Sequence, residues 1–284
     1  IVMNFLQFAV LGAYLTCVGQ FLGRVGLGAY ISWFYVAQGV VSIFMPAIMG
    51  IIADKYVQPQ RLLGISHLLA GGFMLVAAYF GIQATDLAVA NAANADYVAN
   101  IWPIFIPYVL SVAFYMPTWA LSNSVSYTAM EKVGLVPMKN FPSIRVFGTI
   151  GFICSMLLTD VLGFQSTPMQ FFLSAGMGAM ASCYSLTLPA CPTANKSAGQ
   201  TWRDVLGMNA FALFKERKMA VFFIFSILLG VALQITNGFA NPFLQSFEKL
   251  PEYADAFGVR HANALISLSQ LSETFSLLLI SFAL

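Results

Sequence analysis

Residues 25–53 read VGLGAYISWFYVAQGVVSIFMPAIMGIIA, with Arg24 before them and Asp54 and Lys55 after. No side chain in this run carries a charge. A helix needs about 20 predominantly apolar residues to cross the hydrocarbon core of a bilayer, and this run exceeds that. Its apolar residues form one block. A barrel strand would instead alternate its two faces over about 10 residues. The run therefore reads as a membrane-spanning helix, and residues 62–85, 101–130 and 219–247 repeat the pattern without a charged residue.

Composition extends the reading to the whole chain. Hydrophobic residues make up 59% and charged residues 8%, where soluble domains average about 25% charged. A soluble core cannot absorb that apolar surface, so the bilayer is the expected solvent and partner. The net charge of +2 is too small to suggest nucleic-acid binding. Cys17, Cys154, Cys183 and Cys191 lie in or just after apolar runs without a CxxC pair, so no disulfide and no metal site is expected.

Read in order, the apolar runs give eight spans: residues 5–22, 31–53, 62–83, 102–124, 144–159, 170–188, 219–241 and 262–284. The cations cluster in alternate connections. Lys55 and Arg61 follow span two, Lys132 and Lys139 follow span four, and Lys196, Arg203, Lys215, Arg217 and Lys218 follow span six. The positive-inside rule places these connections and the amino terminus in the cytoplasm. Residues 84–100, rich in Ala and Asn, read as a flexible external loop.

The expected class is an all-α polytopic membrane protein with three parts. Residues 1–189 form a six-helix amino-terminal bundle, residues 190–218 a cytoplasmic linker, and residues 219–284 the first two helices of a second, incomplete bundle. Six spans, a long cytoplasmic linker and a second set is the major-facilitator plan. Halves of such proteins are related by an axis along the membrane normal, and span seven weakly echoes span one. Leu11, Gly12 and Phe21 match Leu229, Gly230 and Phe239, while Gln38 of span two pairs with Gln270 of span eight. The chain opens on Ile1, and its last apolar run reaches Leu284, so the chain reads as a fragment of a longer one.

Gly50, Asp54, Lys55 and Arg61 resemble the major-facilitator loop signature of Gly, Asp and basic residues between spans two and three. They would make a tight turn and a charge cluster that holds the bundles together in one state of a cycle. The usual second Gly and paired basic residues are replaced by Val57-Gln58-Pro59-Gln60-Arg61.

Polar residues inside the apolar runs are the candidates for chemistry. Glu273 lies 11 residues into span eight, about 16 Å at helical rise. An acid near the midplane costs roughly 2.5–3.5 kcal/mol, which makes it a functional candidate, here for exchange of a proton. Gln270 sits one turn earlier on the same face. Gln234 and Asn237 repeat the device on span seven, and their amides suit hydroxyls and base edges. Their alternative use is interhelical hydrogen bonding, about 0.6 kcal/mol each in membranes. On span five, Arg145, Thr149 and Phe152 share one face at offsets of four and seven, although by position alone Arg145 reads as an anchor snorkelling to the cytoplasmic interface. His67 has no acid within a turn or two and reads as structural. Pro107 and Pro117 should bend span four.

Several strings carry a more specific likeness: Phe44-Met-Pro-Ala, Tyr115-Met-Pro-Thr, Ile144-Arg-Val-Phe-Gly-Thr-Ile-Gly-Phe152, Phe222-Phe-Ile-Phe-Ser226 and Leu233-Gln-Ile-Thr-Asn237. Over residues 5–284 the chain resembles the bacterial nucleoside permeases of the nucleoside:proton symporter family. The resemblance implies a twelve-helix inner-membrane symporter that takes up nucleosides with protons by alternating access. It also implies a nucleoside cavity formed by Arg145, Thr149, Phe152, Gln234, Asn237, Gln270 and Glu273. No cofactor and no obligate protein partner follow from it. Two other readings stay open at this point. One is transport of a sugar or other small polar solute. The other is a solute sensor or intramembrane enzyme, although no nucleophile, base and oxyanion constellation supports catalysis.

Overall fold

The structure is a computed structural model. It describes residues 1–94, 97–191 and 213–283, with the side chains of 277, 278 and 280–283 left aside. Every regular element among the described residues is helical. Span one is two short helices, α1 (Val2–Gly12) and α2 (Val18–Arg24). Spans two and three are α3 (Ile31–Lys55) and α4 (Pro59–Ala90). Span four is α5 (Trp102–Tyr115) followed by α6 (Thr118–Lys132), span five is α7 (Pro137–Val161), and span six is α8 (Met169–Ser185). Span seven is α9 (Arg217–Ser246), and the short α10 (Phe257–Arg260) leads into α11 (Ala262–Ala283), span eight.

Five helical runs among the described residues are long and apolar enough to cross a membrane: Gly28–Lys55, Pro59–Ala90, Trp102–Lys132, Pro137–Val161 and Arg217–Lys249. The 25 residues of α3 reach about 37 Å, more than the hydrocarbon core of about 30 Å. The other expected spans are helical as well, but α8 has 17 residues and span one is interrupted.

The interruption of span one has a visible cause. Between Gly12 and Val18 the backbone tightens to i→i+3 bonds, Tyr14 to Leu11 and Cys17 to Tyr14. Side chains from other helices then enter the ladder: Thr159 donates to the carbonyl of Ala13 at 2.9 Å, and the Tyr35 hydroxyl to that of Leu15 at 2.8 Å. Inserted side chains of this kind bend helices without a proline. Span four breaks at Met116–Pro117, as its proline foretold, and Pro107 is carried inside α5. The supposed external loop corrects in part. Helix α4 runs on to Ala90 and ends at Asn91, whose side chain donates to the carbonyl of Leu87 at 2.8 Å. Ala-rich sequence prolongs a helix at little cost, so residues 84–90 belong to the span.

The first six spans pack α4 against α5 and α8, and α1 against α7 and α8. The α1–α7 approach is close: a Cβ on Gly151 would lie 2.1 Å from the carbonyl oxygen of Phe5, so a larger residue cannot stand there without moving a helix. Buried side chains from four helices interlock at the centre. Gln7 donates to Thr118 at 2.6 Å and meets the His67 ring at 2.9 Å, while Tyr115 donates to the Gln7 carbonyl at 2.6 Å. His67 is thus held in a structural contact. Gly163 ends α7 with φ +70°, and the Phe164 and Gly163 amides return to Thr159 and Asp160. That closure is a Schellman cap, in which glycine supplies the left-handed residue.

The second set joins the first unevenly. Helix α11 lies along α7, and α9 touches α2. Asn237, Gly238 and Asn241 of α9 are buried, and Tyr35 donates to the Gly238 carbonyl at 3.3 Å. The other half of α9, from Val221 to Leu233, leaves its large apolar side chains exposed apart from the half-buried Phe223. The two sets therefore meet at the end holding Asn241 and His261 and stand apart at the end holding Lys215, Arg217 and Lys218.

Candidate functional site

A cavity of about 180 Å³ lies where the two sets meet. Helix α1 with the segment after it contributes Phe8, Leu11 and Leu15, and α3 and α6 contribute Gln38 and Trp119. Helix α7 adds Arg145, Thr149 and Phe152, α9 adds Leu233, Gln234 and Asn237, and α11 adds Gln270 and Glu273. All seven residues singled out as a binding set in the sequence thus line one cavity. The helical repeat explains why. Offsets of three and four put each pair or trio on a single face, and the three faces converge because α11 packs on α7 and α9 closes beside it.

Thr149, Phe152, Asn237 and Gln270 are buried. Arg145 and Gln234 are half-buried, and Glu273 is exposed. The sequence placed Glu273 deep in an apolar run. The fold puts it on the cavity wall with its side chain exposed. Arg145 points into the cavity and not toward the helix end. Its guanidinium lies 3.9 Å from the centre of the Phe8 ring, and Phe8 packs on Trp119 with centroids 4.8 Å apart. A cation over an aromatic face is worth about 0.5–2 kcal/mol depending on desolvation. The ion pairs among the described residues lie elsewhere.

Polar atoms with unused hydrogen-bonding capacity collect at this wall. Arg145 Nη1, Gln234 Nε2 and Asn237 Oδ1 are buried and have no partner. An orphaned polar atom costs about 1–3 kcal/mol when buried, so such a cluster, two donors and one acceptor, suits a ligand that returns acceptors and a donor. Beside three leucines, the lining adds two aromatic residues and one amide that the sequence did not single out as ligands: Phe8, Trp119 and Gln38. Gln38 accepts from the Tyr108 hydroxyl at 3.3 Å, and its repeat match to Gln270 was the available signal. Nothing in the local pattern marks Phe8 or Trp119 among so many aromatic residues. A flat aromatic wall, amides of both polarities, a cation and an acid can together hold a polar, flat solute bearing hydroxyls.

The loop signature lies away from the cavity. Helix α3 ends at Lys55, and α4 begins on Pro59, whose fixed φ suits a first helical position. Asp54, Lys55 and Arg61 are exposed and Gly50 half-buried. Residues Lys196 and Arg203 of the expected linker lie outside the described residues. Among the described residues no group of three or more His, Cys, Asp or Glu side chains could hold a metal ion.

Comparison with known proteins adds an independent line. A family model described as nucleoside H+ symporter matches residues 1–284. The nucleoside permease NupG of Escherichia coli (strain K12) is 39% identical over 286 residues, covering 100% of this chain and 64% of that protein. The xanthosine permease of the same organism is also 39% identical, over 285 residues, with the same coverage. A crystal structure of a variant of the nucleoside transporter NupG superposes with a TM-score of 0.84 at 38% identity, covering 99% of this chain and 66% of that one. A second crystal structure of NupG gives 0.80. The chain thus spans about 64% of the length of the curated relatives it matches.

Proposed function

The chain belongs to the nucleoside H+ symporter family, and on that premise we propose that it serves proton-coupled uptake of nucleosides by alternating access. It has the fold of the major-facilitator transporters. The observation that carries the proposal is the convergence of Arg145, Thr149, Phe152, Gln234, Asn237, Gln270 and Glu273 on one cavity between the two sets of helices. Phe152 stacks or packs on a base, the amides and Arg145 hold base edges and ribose hydroxyls, and Glu273 exchanges the proton. The relatives are permeases rather than enzymes, and the site's chemistry is that of recognition.

Residues 1–189 serve as the first bundle, 190–218 as the cytoplasmic linker and 219–284 as the start of the second bundle, in a bacterial inner membrane with the amino terminus inside. With the cation-rich connections in the cytoplasm, the end where the bundles part faces inward, so the conformation is open to the cytoplasm. Gly50, Asp54, Lys55 and Arg61 then lie on that open side, available for contacts made when it closes. A ligand shifts such a balance only by its differential affinity for the two states. Exposure of Glu273 on the inward side is where a symported proton would leave.

The test is uptake of radiolabelled uridine and adenosine into proteoliposomes containing the intact protein, with and without an inward proton gradient. Accumulation above equilibrium that depends on the gradient is the expected result. Glu273→Gln should then abolish accumulation while sparing exchange of uridine across the membrane. Uptake that only equilibrates would remove the proton from the account, and accumulation of sugars in place of nucleosides would replace the substrate.

A further inference from the structure

We infer that the Asp160–His261 contact is a proton-operated latch that holds the two bundles together at the end away from the basic connections. The inference rests on the alternating-access reading and adds to it a second proton-responsive position, distinct from Glu273.

Asp160 lies in the last turn of α7, in the first bundle, with its side chain 3% exposed. His261 stands just before α11, in the second, and its Nδ1 is 2.8 Å from Asp160 Oδ2. The His261 side chain is 43% exposed, so protons in the solution on that face reach it. The carboxylate is tied further into the seam. Gln165 donates to Asp160 Oδ1, and Asn241 donates to Gln165 Oε1 at 2.9 Å and to Asn263 Oδ1 at 2.9 Å. Asn263 Oδ1 also accepts from Thr16 at 3.0 Å, and Asn263 Nδ2 donates to the Met156 carbonyl at 3.4 Å. Thr16, Met156, Asp160 and Gln165 belong to one bundle, and Asn241, His261 and Asn263 to the other. A change at His261 is therefore felt by the contacts that close this end.

The other charges facing the pair come from the same polar recess, lined by Arg24, Glu248, Asp255 and Arg260. Arg24 lies 3.9 Å from Glu248, with both over half exposed, and Arg260 pairs with Asp255 within its own connection. Exposed pairs of this kind contribute little. They also offset each other's charge, so the charge opposite His261 is that of Asp160. Of the facing groups, imidazole is the type that changes charge between about pH 5 and 8.

The sign follows from linkage. An imidazolium–carboxylate hydrogen bond is stronger than an imidazole–carboxylate one. The latched state therefore gains from proton uptake, and its advantage is full in acid and lost as pH rises through the imidazole range. Acid outside the cell, which also supplies the proton for symport, thus favours closure of the outer end.

The test reads the distance across that end by pulsed electron spin resonance on the intact protein in nanodiscs. Labels go on Leu162→Cys and Tyr253→Cys, both at exposed sites, with Cys154→Ser and Cys183→Ser. The ratio of short to long distances should rise at least about fivefold from pH 8.0 to pH 5.5. His261→Gln should flatten that response, and His261→Arg, charged at both pH values, should keep the distance short throughout. A parent ratio that does not change with pH, a His261→Gln variant that keeps the parent's response, or a His261→Arg variant that still responds would each overturn the latch. Uridine accumulation is a separate readout. Its failure with the distance response intact would sink symport and leave the latch standing.

Discussion

Two polar clusters share the seam between the bundles, and they differ in how far their hydrogen bonds are used. In the cavity, Arg145 Nη1, Gln234 Nε2 and Asn237 Oδ1 lack partners. One turn further along α9, the Asn241 amide nitrogen makes two bonds, one across the seam to Gln165 and one to Asn263 on the neighbouring helix of its own set, although its Oδ1 is also unpaired. The same residue type on one helix thus serves two ends. Buried polar groups are nearly always paired in folded proteins, so the paired cluster reads as structure that holds an end shut, and the unpaired one as a surface kept for a ligand.

The comparison is broken most easily at Arg145. Arg145→Ala should weaken uridine binding by about 2–3 kcal/mol, roughly a hundredfold, if the guanidinium makes a charge-assisted bond to the solute. Equilibrium dialysis on the purified intact protein checks this, and unchanged affinity would return Arg145 to the role of an anchor. Asn263→Leu attacks the other cluster. It should raise the long-distance population between labels at residues 162 and 253 about tenfold, a shift of about 1.4 kcal/mol, while uridine affinity stays within about threefold of the parent. A large affinity loss there would merge the two clusters into one site.

Smaller effects sharpen the boundary. Thr149→Val keeps the shape of a buried wall residue and removes its hydroxyl. It should cost about 1 kcal/mol, near fivefold in affinity, measured in the same dialysis. Phe8→Leu removes the aromatic face beneath Arg145 and should cost about 0.5–1 kcal/mol, two- to fivefold. If Phe8→Leu proved as damaging as Arg145→Ala, the ring would be a direct contact of the solute rather than a support for the cation.

The contrast between the clusters also explains what could be read in advance. Gln234, Asn237, Gln270 and Glu273 stand out because they interrupt apolar runs at helical spacing, and the repeat brings them onto facing sides. Asp160, Gln165, Asn241, His261 and Asn263 lie at the ends of runs, where polar residues are ordinary. Their pairing depends on which ends meet, and no periodicity encodes that. The helical spans were legible for the same reason as the cavity: apolar length is a local property. The break of span one at residues 13–17 was not, since it depends on Thr159 and Tyr35 arriving from distant positions. Nor could spacing reveal that Glu273 would be exposed, because exposure depends on which helices pack beside a residue and not on its place in an apolar run.

Calorimetric titration of uridine into the intact protein carrying Asn237→Leu, and separately Asn241→Leu, tests the division most directly. The two substitutions are alike in chemistry and one turn apart. The expected result is a loss of at least about tenfold, 1.4 kcal/mol, for Asn237→Leu, with Asn241→Leu within about threefold of the parent. Equal losses at both positions, or a loss confined to Asn241→Leu, would contradict the assignment of the cavity as the nucleoside site.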